Sequence, residues 1–553
     1  MKHNTSIEPL EPRIAPATIS IVGKTATWTD FDGDQVTMKW TSADAPTFTT
    51  MDQDAGLLVS RISLEAAKHD GASFTVKVKA AGTFGDGRVE LGHLDAVDVS
   101  LKSWVGPKAA ISEVDLGKVQ QAGIGTLSMG GLGQTHHSFF TGAMGNGNSF
   151  IRGGVKTLKI NGDLSNGTMT MQPGTGQQVG SFTITGSIRG DIAGGGAVDG
   201  AVDFFGGGGS GGSVFIGGSI ENGRLSISGL QMKTVTIAGD VVGATAFPSS
   251  NGAVYVSADK LTVLGSVLGG QVQVAAGTNP IQSVLIGGSI VARDGVQESG
   301  TLYIHGSAKN VTVKGSLRGA EFATFVDGAS SFDPISGAGA VLVDGNVGTL
   351  NIGGNIHSGK IANGNLGVNG GIQVKGNIGT IAIKGSVIGN DRMPVYILAG
   401  GSGAGATTDY NGIGKLSIKG DVIHAFIAAG TRLANDSSGS ALILANNPDA
   451  GIGSVLIGKN FNTSNIFAGV LDGGSPGVNP INMGDTLAVG DPVLTAKLGP
   501  VVIKGHLLSD RDSAYYAGFT ADVIASITVA GRKVFTAGDG LRNFDDYITA
   551  KEL

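Results

Sequence analysis

The line Ile281-Gln282-Ser283-Val284-Leu285-Ile286-Gly287-Gly288-Ser289-Ile290 decides the fold. Val284 and Ile286 alternate as a strand requires if one set of side chains is to face a core. Gly288 supplies a corner where a Cβ would be strained. Ser289 is a residue that hydrogen-bonds turn backbone, and Ile290 re-enters the core. The same apolar-x-apolar-x-Gly pattern runs from Leu127/Met129/Gly131 to Ile527/Val529/Gly531. It is clear at Leu158/Ile160/Gly162, Leu261/Val263/Gly265 and Leu416/Ile418/Gly420. About fourteen copies lie roughly 21 to 46 residues apart, a range typical of repeat architectures.

Two further kinds of strand fill out the repeat. One follows the corner quickly, as in Leu225-Ser226-Ile227 and Val272-Gln273-Val274. The other precedes the next copy, as in Val254-Tyr255-Val256, Leu302-Tyr303-Ile304 and Ile372-Gln373-Val374. The reading is all-β: a parallel β-helix solenoid of about 13 coils, three-faced, with a small N-terminal β-rich domain or cap. Right-handed winding is expected because parallel crossovers are overwhelmingly right-handed. At about 4.8 Å per coil the rod would be roughly 60 Å long.

Bulk composition agrees with an ordered, elongated chain. At 553 residues it exceeds the size at which one compact core keeps growing. Gly numbers 95 and Pro 15, together about a fifth of the chain, short of the ~25–30% of low-complexity sequences. Apolar content is 41%, so the glycines read as turn residues of a folded protein. Net charge is −6, and no run of basic residues of the kind that tracks phosphates stands out, so nucleic acid is not an expected partner. Cys is absent, which excludes disulfides, thiol catalysis and Cys-based zinc sites. No stretch of 18 or more apolar residues exists, so no transmembrane helix is expected. Met1-Lys2-His3-Asn4 leads into Glu8 and Glu11 without an apolar region of the secretory kind.

Residues 7–16 read Ile-Glu-Pro-Leu-Glu-Pro-Arg-Ile-Ala-Pro. Leu10-Glu11-Pro12-Arg13 resembles the LEPR-XLL segment near the start of many large bacterial surface and exported proteins. Ala15 and Pro16 stand where that family usually has two leucines. The resemblance implies export or envelope association. The chain then divides into this segment (1–16), a small β-rich domain holding Trp28, Trp40 and Trp104 (17–105), the β-helix repeats (106–531) and a C-terminal cap or tail (532–553). In the β-rich part, Ala26-Thr27-Trp28, Val36-Thr37-Met38-Lys39-Trp40 and Phe74-Thr75-Val76-Lys77-Val78 read as strands, and residues 64–68 as a helical turn.

Candidate chemistry is sparse. Asp30, Asp32 and Asp34 alternate around Gly33 between two strands, and three such carboxylates can converge on a hard cation. Ca²⁺ is the candidate cation. The order is not that of an EF-hand, because Gly33 precedes the third Asp and no Glu follows at the required distance. A hairpin turn is the plain alternative. Asp163, Asp240 and Asp421 follow corner glycines, a position that Ser or Asn fills elsewhere, so turn chemistry explains them. Asp327, Asp333, Asp391 and Asp409 fall on excursions, and His136-His137 precedes Phe139-Phe140 without a spaced third ligand. The run Gly206-Gly207-Gly208-Gly209-Ser210-Gly211-Gly212 lacks the Lys-Ser/Thr ending of a phosphate loop and reads as a flexible excursion.

No catalytic residue is singled out. The expected function is a non-enzymatic structural or adhesive rod, extracellular or on the cell surface of a bacterium. Its expected partners are cell-envelope components, glycans or other surface proteins. The alternative is a glycan-binding or glycan-cleaving β-helix, although aromatics at 6% offer few sugar platforms.

Overall fold

The structure is a computed structural model. It describes residues 18–53, 56–81, 84–133, 148–165, 167–190, 200–243, 252–294, 299–321, 337–360, 368–391, 393–401, 412–435, 441–445, 447–471, 486–487, 495–509, 517–545 and 548–552. Strands dominate, and the one helix among these residues is the single turn Ala66–His69.

Residues 18–105 begin antiparallel. Thr25–Thr29 pairs with Gln35–Trp40, placing Trp28 opposite Val36, and Ser73–Lys79 extends the sheet, placing Phe74 opposite Trp40. Alternate side chains of Gln35–Trp40 are buried, as a one-sided strand demands. Trp28, Trp40, Phe74 and Trp104 are all buried, and the Phe74 and Trp104 rings lie 5.8 Å apart. Pairing then turns parallel. Gly56–Ser63 pairs with Val89–Val97, and Val89–Val97 with Leu101–Gly133.

From there, three parallel ladders carry the chain. In the first, Val284 stands in register between Leu261 and Val311. The same register continues back to Leu127 and forward to Ile527, through every copy of the apolar-x-apolar pattern. The second ladder is short. Ile290 pairs between Val267 and Leu317, and equivalents run from Leu132 to Leu507. The third runs through Leu225, Val254, Val272, Leu302, Val341 and Ile372 to Phe519. Val284, Ile286, Ile290 and Leu302 are each at most 1% exposed. Each such side chain contributes about 1.5–3 kcal/mol before entropy is subtracted.

This differs from the sequence reading in three ways. The strands that follow a corner and those that precede the next copy are one ladder, since Leu225, Val254 and Val272 pair in sequence. Excursions are inserted on either side of that strand, so its distance from the corner varies while its place does not. The apolar residue two places after the corner glycine, Ile290 in this copy, opens the short second ladder.

The second difference concerns the corner glycine. Gly288 is not among the residues with positive φ. A Cβ there would sit 2.1 Å from Ser266 Oγ of the preceding repeat. The glycine is required for clearance between repeats. Ser266 occupies that space because its Oγ accepts the Ser289 N–H at 3.1 Å. Eleven such bonds, each 2.6–3.1 Å, follow one another from the Ser187 N–H on Asp163 to the His506 N–H on Asn460. The polar post-corner residue therefore ties its own repeat to the next.

The third is a correction. The glycine run 206–212 is not a flexible excursion; it lies inside the strand Ala201–Ile216, paired with Arg224–Ile237. A Cβ on Gly211 would meet Met232 Sδ at 2.0 Å, and one on Gly206 would meet Leu230 Cγ at 2.6 Å. The missing side chains make room for large ones on the neighbouring strand.

At the far end the pairing reverses. Arg532–Thr536 folds back antiparallel on Ser526–Val529, and Leu541–Asp545 on Ile548–Glu552. Ile548–Glu552 in turn lies parallel to Ala517–Ala521.

Candidate functional site

The hairpin that joins Thr25–Thr29 to Gln35–Trp40 carries the acidic turn. Its backbone closes through Gly33 N–H to Asp30 O at 3.2 Å and Asp30 N–H to Asp34 O at 3.0 Å. Gly33 has φ +99°, a conformation that favours glycine. Asp30 Oδ1 accepts the Asp34 N–H at 2.7 Å. The turn expected from the Asp-Gly sequence is present.

The carboxylates also converge. One oxygen from each of Asp30, Asp32 and Asp34 lies within 4.8 Å of the others. Asp34 is fully buried and reaches across to two backbone donors, its Oδ1 accepting the Ala81 N–H at 3.0 Å and its Oδ2 the Gly87 N–H at 2.5 Å. Asp32 Oδ2 lies 3.4 Å from the donating Asp86 N–H. Gly85 is confined to glycine, because a Cβ would stand 1.9 Å from Asp34 Oδ1. Asp30 is 2% exposed, and its Oδ2 has no hydrogen-bond partner among the described residues. Burial, the adjoining Asp32 and then the Asp34 charge push the Asp30 carboxyl up to about 8.

Such a group can hold a proton or meet a cation. Three oxygens of one sign, one of them buried and unsatisfied, fit a hard divalent cation such as Ca²⁺. The cation would supply the countercharge that burial, first of all, and the neighbouring Asp32 and Asp34 deny an ionised Asp30.

A second polar cluster escaped the sequence reading. It crosses three successive strands of the third ladder, on their outward side. His305 and Lys375 flank Asp344. His305 Nδ1 lies 3.1 Å from Asp344 Oδ2 and Lys375 Nζ 2.8 Å from Oδ1, while the Tyr303 hydroxyl donates to Oδ1 at 2.8 Å. Burial would raise the Asp344 carboxyl, but hydrogen bonds from His305, Lys375 and Tyr303 outweigh it and hold it down at about 2. A carboxylate this acidic is a poor general base near neutral pH. Beside it Gln373 is 1% exposed, and neither amide atom has a hydrogen-bond partner among the described residues. The pocket that Gln373 shares with Tyr303, Leu342 and Lys375 has room for about one water molecule. These residues stand about 30 to 40 positions apart in the chain, so only the register brings them together.

The remaining candidates do not join either cluster. Asp163, Asp240 and Asp421 take part in the post-corner hydrogen-bond column. Asp391 Oδ1 lies 3.2 Å from His424 Nε2. Residues 10–16, His136, His137, Asp327, Asp333 and Asp409 lie outside the described residues. Among the described residues no helix is long and apolar enough to cross a membrane. No protein-family model, curated protein or solved structure matches this chain.

Proposed function

We propose that residues 106–531 form a right-handed parallel β-helix solenoid of about 13 coils, and that the protein is a non-enzymatic structural or adhesive rod of the bacterial cell surface. One observation carries this reading: the unbroken register of the first ladder from Leu127 to Ile527, with a hydrogen-bonded column beside it. Such an assembly invests its sequence in length and stiffness. The LEPR-like residues 10–13 supply the argument for the surface. The acidic turn adds a cation clamp, in which Ca²⁺ held by Asp30, Asp32 and Asp34 fastens the hairpin to the Ala81 and Gly87 backbone. Envelope components and other surface proteins are the partners such a rod would meet.

The test is cellular. Deleting residues 7–16 should trap the protein inside the producing cell, read as protection from protease added to intact cells. Unchanged protease accessibility after the deletion would overturn the surface assignment.

A further inference from the structure

Net charge conceals where the lysines are. The last six described rungs of the first ladder before Ile527 are Ala308–Val313, Val347–Ile352, Ile378–Ile383, Ile413–Ile418, Val455–Ile457 and Val501–Ile503, each flanked by an outward residue at its end. Their outward positions carry Lys309, Lys314, Lys384, Lys415, Lys419 and Lys504, all exposed. No Asp or Glu occupies an outward position of these rungs. Four of the lysines form one column. Lys314, Gly353, Lys384, Lys419, Gly458 and Lys504 each donate a backbone N–H to the preceding rung at the same place. None of the six has an ion-pair partner among the described residues, whereas Lys360, Lys375 and Lys459, which pair with carboxylates, lie off this face or at its edge. Asp421 and Asn460 stand around the corner, and Asp421 is engaged by Lys459 at 3.7 Å.

We propose that this lysine face binds an acidic polysaccharide, a linear chain bearing about one carboxylate, sulfate or phosphate per sugar. Six rungs span five steps of about 4.8 Å, so the face offers roughly one cation per 5 Å. That matches one charge per sugar in an extended chain. It falls well below the one phosphate per ~1.7 Å of duplex DNA. No aromatic side chain occupies these outward positions, so there is no platform on which bases would stack. Asn310, Thr312, Thr349, Asn351, Thr380 and Ser417 lie between the lysines and offer amide and hydroxyl groups to sugar hydroxyls. The surface is flat sheet with Leu456 and Val502 as its only large apolar residues, which is poor material for entering a lipid bilayer. The inference rests on strand register and charge, and it is independent of where in or on the cell the protein resides.

The experiment uses the full chain and immobilised polygalacturonate, with neutral dextran, duplex DNA and anionic phospholipid vesicles as comparisons. The wild type should be retained on polygalacturonate at about 50 mM salt and released by about 500 mM, since the charges are exposed and screened. Replacing Lys314, Lys384, Lys419 and Lys504 together by Gln should weaken retention at least about tenfold with little change in melting temperature, because these lysines have no ion-pair partner among the described residues. Lys360→Gln, a lysine paired with Glu321 away from this face, should leave retention unchanged. Absence of wild-type retention at low salt, equal retention on dextran, or an equal loss in the off-face variant would each overturn the proposal. Tighter binding to DNA or to vesicles than to polygalacturonate would overturn the choice of polysaccharide.

Discussion

Asp30 shows how one buried atom couples a turn to its surroundings. Its carboxyl stands at about 8 when folded, against an ordinary value of 3.8. The folded protein therefore holds a proton that the unfolded chain has released between those limits. The stability from this group is present below pH 3.8 and is lost as pH rises through about 8. In chelator, the melting temperature of the full chain should fall across that window, and adding Ca²⁺ should flatten the slope. Asp30→Asn should remove both the slope and the Ca²⁺ response. A chelator-insensitive wild type would discard the cation clamp. At the corner, Ser266→Ala should cost about 1 kcal/mol through the lost bond to the Ser289 N–H. Gly288→Ala should cost about 1–3 kcal/mol, because its Cβ would meet Ser266 Oγ at 2.1 Å. The double variant should cost less than the sum, since removing the hydroxyl relieves the closest contact of the methyl and leaves the Gly265 and Ser266 backbone at 3.0 Å. Strict additivity in denaturant melts would show that the glycine answers to something else.

At the scale of elements, a strand in the ladder has two unequal sides. Ile286 is fully buried between Val263 and Val313, and Ile286→Ala should cost about 2–5 kcal/mol. Leu285 points outward on the same strand, and Leu285→Thr should stay within about 0.5 kcal/mol. Denaturant melts of the two variants measure the contrast, and equal losses would mean the register is wrong. The glycine-rich strand Ala201–Ile216 tests the reverse case. Gly211→Val should destabilise by forcing Met232 aside, and Met232→Ala in the same chain should recover part of the loss. The first ladder and its turns were legible because strand alternation and the following Gly-Ser pair recur as sequence. The third ladder was split into two kinds of strand, because an excursion shifts distance along the chain without moving the strand in the sheet.

For the whole molecule, the ends matter most. Repetition leaves the last strand with unpaired backbone groups, which the antiparallel returns at Arg532–Thr536 and Leu541–Asp545 partly occupy. Removing residues 532–552 should expose the edges of Ser526–Val529 and Ala517–Ala521 and promote concentration-dependent association, measurable by light scattering. A truncated chain that stays monodisperse would show that the returns do not protect the edge. The Asp344 cluster adds an acid limit. Its depressed carboxyl contributes stability above pH 3.8 that is lost as pH falls through about 2.

The sequence by itself determined that this chain is built of strands in a repeating line, with the inward residues, the corners and the acidic turn all placed. These depend on neighbours within about ten residues, and local chemistry is written in local order. Only the tertiary structure decided what the line does between repeats. Gly288 yields space to Ser266, the glycines at 206–211 yield to Leu230 and Met232, and Tyr303, Asp344 and Lys375 meet across strands. Lys314, Lys384, Lys419 and Lys504 become one face for the same reason. Pairing register converts positions far apart in the chain into neighbours a few ångströms apart, and excursions of unequal length hide that relation from any reading of spacing.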